Sequence, residues 1–233
     1  MKHTKNQKDI SVNKQKYTYR YPGSRPFKNG EEKQFYGREK EIIKLANLVD
    51  LEQLVVVYAR SGLGKTSLIN AGLIPQLEKK KLAFSKLEKK QLDQSNRNYY
   101  APIIPIRFND PVLSPHQAVY KALQPYLDKD NLIDPESPCF WDMIKAMNLS
   151  MANTPVLIFD QFEELFNLNK QQRRKKFICE LADVVNNHVP YSIKEILDDW
   201  ISEEDDDLSD EHLQKIKSSE DPLRVKMVIA IRS

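Results

Sequence analysis

The stretch VVVYARSGLGKTSLINAG, Val55 to Gly72, constrains this chain more than any other. Its β-branched apolar start has no polar face, the pattern of a strand buried on both sides in a parallel sheet. The run breaks into a loop with two glycines, Gly62 and Gly64, and then into Lys65, Thr66 and Ser67 at the head of a helical stretch. Strand, glycine loop and helix in that order make a cradle for phosphate. Glycine lets backbone N–H groups turn inward, and the helix presents its positive end. The lysine reaches the outer phosphates and the hydroxyl binds Mg²⁺. The pattern GxxxxGK[ST] is met over Ala59 to Thr66 except at its first place, where alanine stands for glycine. If that place requires a positive φ, alanine costs about 1–2 kcal/mol there. An exposed lysine at an ordinary strand–turn–helix junction is the plainer reading, and the apolar strand before it weighs against that. Arg60, Ser61, Gly62, Leu63, Gly64, Lys65, Thr66 and Ser67 are therefore the candidate nucleotide-binding residues.

A phosphate loop alone does not hydrolyse anything, because the metal needs a second protein ligand. PVLIFDQFEELF supplies one: Asp160 ends a second two-sided apolar run. Ligands of open α/β sheets collect at the carboxyl ends of the strands, where Asp160 and Thr66 would share Mg²⁺. Glu163 and Glu164 follow. Adjacent helical residues point about 100° apart, so one of the two faces a terminal phosphate and polarises the attacking water. Glu164 is preferred. The plainer reading makes both of them acids favoured by a helix N-terminus.

Elsewhere the order of elements is that of an α/β protein. Residues 1–20 are rich in Lys, Asn and Gln and read as a disordered lead-in. YPGSRPF is a turn-rich stretch with aromatic anchors, and Ile42, Ile43, Leu45, Ala46 and Val49 have the spacing of an amphipathic helix. A helix runs from Lys65 to about Lys80. YYAPIIPIRFN is a strand whose prolines place it at an edge. SPHQAVYKALQPYL and SPCFWDMIKAMNLSMA are helices opened by Ser-Pro. EELFNLNKQQRRKKFICELADVVNN is mostly helical, and about 189–221 is an acidic exposed insertion with one helix at YSIKEILDDWI. LRVKMVIAIRS is the last strand. Strands alternating with helices predict a parallel sheet with helices on both faces.

Taken together, YPGSRPF with FYGRE, the phosphate loop, DQFEELF and the terminal VIAIRS resemble the STAND class of P-loop NTPases, in its novel STAND branch of bacterial signalling ATPases. The resemblance covers Tyr21 to Ser233. It implies a three-layer AAA+-like core with strand order 5-1-4-3-2, ATP with Mg²⁺, and Phe35, Tyr36, Gly37 and Arg38, with Glu41, near the adenine. It also implies that Glu164 serves the water and that Arg232 faces the γ-phosphate as a sensor. The plainer readings are a surface ion pair for Arg38 and a solvated strand end for Arg232. Relatives continue past the last strand with a fifth strand, a lid, a winged helix, and sensor or effector regions. The sequence therefore reads as truncated after the fourth core strand, a piece of a switch whose full-length form self-associates, with effector and sensor in the missing C-terminal region or a partner chain. A role in bacterial defence is a further family expectation.

Two rival readings stand beside the switch. One is a nucleic-acid-handling AAA+ ATPase, on the basic runs EKKKLAFSKLEKK and KQQRRKKF. Neither run interleaves stacking aromatics, and charge runs are usually solvated faces, so nucleic acid is the minor reading. The other is a scaffold that binds nucleotide without splitting it, on the strength of Ala59. Net charge of +3 decides nothing, and Cys139 and Cys179 have no metal-site spacing. There is no secretion signal, and the apolar runs are too short to cross a bilayer, so a cytoplasmic protein without a membrane partner is expected.

Overall fold

The computed structural model describes residues 23–80, 100–127, 138–151, 153–202 and 221–233. The four apolar runs become β1 (Leu54–Ala59), β2 (Tyr100–Ile106), β3 (Thr154–Phe159) and β4 (Lys226–Arg232). They form one sheet in the order β1-β4-β3-β2, and every neighbouring pair is parallel. The fold is α/β, with β2 at an edge as Pro102 and Pro105 require.

Helices cover both faces because the inner strands are apolar on both. From β3 and β4, Leu157, Phe159, Met227 and Ile229 enter one core, while Val156, Ile158, Val228 and Ala230 enter the other. The second core is closed by α1 (Glu39–Leu51), through Leu45, Ala46 and Val49, and by α2. Helix α2 starts at Lys65, passes through a π-helical turn over Leu68–Leu73, and continues to residue 80. That turn brings Gly72 against α1, where an added Cβ would lie 2.6 Å from a side-chain carbon of Ile42.

The first core is closed by α3 (Pro115–Leu123), α4 (Phe140–Ser150), α6 (Gln171–Val185) and α7 (Tyr191–Ser202); the short α5 (Glu164–Leu168) follows β3. Ser114 opens α3 with a capping box, its side chain accepting from the Gln117 amide. Helix α4 departs from the expected Ser-Pro start: it begins at Phe140, whose amide donates to Glu180 Oε2 at 2.8 Å. The mostly helical stretch expected after Asp160 is two helices, separated at Asn169 and Lys170. The segment read as an exposed insertion also departs from expectation in its first half, since Ile193 and Leu197 of α7 are buried in the first core. Those two lie four apart, one helical turn, which is why an otherwise polar stretch packs there. The lead-in at 1–20 and the acidic part at 203–220 lie outside the described residues.

Candidate nucleotide site

The carboxyl ends of β1 and β3 set the site, because β1 delivers the glycine loop and β3 delivers an acid. Gly62 and Gly64 hold φ of 80° and 78°, the left-handed conformation that glycine adopts without strain. Gly64 caps α2 directly, so the loop's amides run into the helix's positive end. Among the described residues only Gln161 and Asn187 combine a side chain with positive φ. Ala59 therefore carries no such strain: it is the last residue of β1, paired with Arg232. The penalty conditional on positive φ does not arise.

Lys65 Nζ donates to the carbonyls of Ala59, at 2.6 Å, and Arg60, at 3.1 Å, across the mouth of its own loop. Thr66, in the first turn of α2, donates from Oγ1 to Asp160 Oδ1 at 3.0 Å. Asp160 is 4% exposed, and its amide donates to Ile106 O on β2. Beneath it lies an aromatic floor: Phe108 stacks on Phe159 at 5.8 Å, and Phe162 meets both edge-on. The loop hydroxyl and the strand-end acid thus converge from 94 residues apart.

The two glutamates take different places. Glu163 Oε2 accepts from the backbone amide of Arg232 at 3.1 Å, tying α5 to the end of β4. Glu164 has one carboxylate oxygen sealed from solvent, with no hydrogen-bond partner among the described residues. Burial raises its pKa above the ordinary value, the charge of Arg107 opposes that rise, and Glu163 and Asp160 add to it. Gln161, at φ 58°, makes the turn that separates these acids. Strained backbone of this kind concentrates at functional sites.

A family model for novel STAND NTPase 1 matches residues 21–218. The chain belongs to the novel STAND NTPase 1 family. A structural search finds this NTPase similar in fold to a Walker-type ATPase of Pyrococcus abyssi, at 12% identity and a TM-score of 0.48. The similarity covers 88% of this chain and 47% of that ATPase, so the chain spans about half its length. A search of curated proteins finds no match.

The residues present in this STAND NTPase fit a magnesium–triphosphate. A hydroxyl and a carboxylate within hydrogen-bond distance are the hard oxygen donors Mg²⁺ takes, and the orphaned Glu164 oxygen supplies an acceptor beside them. Arg38 Nη2 donates to Leu63 O at 3.2 Å, so the start of α1 touches the loop; Arg38 also pairs with Glu41 at 3.4 Å. Gly37, at φ 81°, donates to Glu39, and Tyr36 beside it is 69% exposed. Ser67 is not turned to the cradle by its side chain: its Oγ accepts from the Phe27 amide at 3.1 Å, and Asn70 donates to Phe27 O. The guanidinium of Arg232 is exposed at the strand end and makes no ion pair among the described residues.

One residue of the site escaped the sequence reading. Arg107, the first residue after β2, forms an ion pair with Asp160 Oδ2. The available signal was positional, since Arg107 follows its strand just as Asp160 follows β3 and the two strands are neighbours. The strap from Phe27 onto Ser67 and Asn70 left no such signal, because nothing local ties residues 40 apart. Among the described residues no helix is long and apolar enough to cross a membrane.

Proposed function

We propose that the chain is an ATP-binding, slowly ATP-hydrolysing switch domain that couples nucleotide state to self-association and effector control. The observation that carries this reading is the 3.0 Å contact from Thr66 Oγ1 to Asp160 Oδ1, which gathers the two metal-side groups at the mouth of the glycine loop. The loop amides and Lys65 hold the phosphates, and Thr66 and Asp160 hold Mg²⁺, which when bound screens the charge of the terminal phosphates. Glu164 orients and deprotonates the attacking water; burial raises its pKa above the ordinary value, which strengthens it as a base. STAND membership supports ATP as the nucleotide and a signalling role as parts of this reading. Slow turnover suits a switch, in which hydrolysis resets a state.

The test is equilibrium binding of a fluorescent ATP analogue with Mg²⁺, competed by ATP and GTP. Lys65→Ala is expected to abolish binding at concentrations where the wild type saturates, and ATP to compete better than GTP. Light scattering with ATP and with ADP then reads association. Wild-type binding that is indifferent to Lys65→Ala overturns the site, and an oligomeric state independent of nucleotide overturns the switch.

A further inference from the structure

Asp160 has two carboxylate oxygens, and both are engaged. Oδ1 accepts from Thr66, and Oδ2 pairs with the Arg107 guanidinium. The acid is almost wholly buried, while the Arg107 side chain is 42% exposed. A buried carboxylate without a counter-charge is costly, so a partner must stand there. Within this family reading that partner would be Mg²⁺, yet the chain brings a cation of its own to the same carboxylate. Arg107 is placed to do so by the sheet: β2 and β3 run parallel with Ile106 opposite Phe159, so the next residue of each strand comes side by side. The Asp160 amide bonded to Ile106 O fixes that register one residue further.

We infer that Arg107 is a protein-borne rival of magnesium at Asp160: it pairs with the carboxylate and aims it while no metal is bound, and metal–nucleotide binding has to work against that pair. This inference rests on the functional reading above and deepens it. Arg107 sits on Oδ2 while Thr66 marks the metal side at Oδ1, so two cations drawn to one carboxylate repel each other, and part of what the ion pair contributes is subtracted from the apparent affinity for the metal. The exposed, unbranched stem of Arg107 gives the guanidinium room to leave without moving β2. Arg107 is thus a positioning residue that sets the magnesium concentration at which the nucleotide site fills.

Two measurements test it. Thermal unfolding of the wild type, Arg107→Met, Asp160→Asn and the double variant, without nucleotide or divalent ion, reads the pair itself. Arg107→Met is expected to lower Tm by several degrees alone and by little in the Asp160→Asn background, with Arg107→Lys recovering part of the loss. Magnesium titrations of fluorescent-ATP binding read the rivalry. The midpoint in Arg107→Met is expected to fall about threefold, in keeping with the modest worth of a half-exposed ion pair. Equal Tm losses in both backgrounds overturn the pairing. An unmoved or raised midpoint overturns the rivalry while leaving the nucleotide site standing. A wild type that binds no nucleotide overturns the functional reading and this role with it.

Discussion

Glu164 is where the site asks for a property that the fold resists. Its sealed oxygen, without a partner among the described residues, lies near two other acids, and burial lifts its pKa. A carboxyl with a raised folded pKa costs stability while ionised, and the cost disappears as pH falls through that raised value toward the ordinary glutamate range. Glu164→Gln is therefore expected to raise Tm at neutral pH, with the gap over the wild type closing on acidification. The same variant should bind magnesium–ATP normally and lose about 10²–10⁴-fold in single-turnover hydrolysis, the usual worth of a general base. A lower Tm at neutral pH, or undiminished turnover, would remove the role. Sequence already preferred Glu164 to Glu163 as the water-positioning group, although both are acids at the start of one short helix. The structure adds a difference between them: the Arg232 amide takes Glu163, a contact between residues 69 apart. The meeting of Thr66 and Asp160 was legible because the glycine loop and the acid follow the carboxyl ends of β1 and β3.

At the scale of elements, one buried acid joins three helices. Glu180 of α6 accepts from the Phe140 amide at the start of α4, and lies 3.1 Å from His116 Nε2 of α3. Burial alone would raise its pKa, but the His116 bond and the Phe140 amide outweigh that and hold it below the ordinary value. A depressed folded pKa gives stability that is complete above the ordinary glutamate value and lost as pH falls through the folded one. Glu180→Ala leaves a buried amide and imidazole unpartnered, and is expected to cost about 2–4 kcal/mol in urea unfolding at neutral pH. The difference from wild type should shrink in acid; a difference independent of pH would mean that shape alone matters there. This joint was invisible in the sequence, where Glu180 is one acid in a charged helix and α4 seemed to begin with Ser-Pro. The strands were legible because an apolar run with no polar face has one common use, and the order β1-β4-β3-β2 agrees with the order implied by the resemblance. Helix α7 was read as exposed because two buried residues in a polar stretch carry too little pattern.

For the whole molecule, the strand that delivers the phosphate loop is one of the two edge strands of the sheet. Among the described residues β1 pairs only with β4, whereas β3 and β4 are flanked on both sides. Val56 and Tyr58, opposite Ile229 and Ile231, are 55% and 68% exposed, against complete burial for Val156 to Phe159 of β3. Local opening is easiest where backbone hydrogen bonds meet solvent and few apolar contacts close over them. Alternate amides of β1 should therefore exchange with deuterium well ahead of those in β3 and β4. Helix α2 gains support elsewhere, from α1 at Gly72 and from the Phe27 strap on Ser67 and Asn70. A ligand gripped by loop amides adds its own free energy to that edge, by RT ln(1 + [L]/Kd), about 2.7 kcal/mol at a hundredfold excess over Kd. Magnesium–ATP should consequently slow exchange most at Gly62 to Thr66 and along β1, while β2 gains little, which makes the edge strand the part of the fold that reports nucleotide. Protection that rose evenly across all four strands, or appeared first in β2, would place the ligand elsewhere on the sheet.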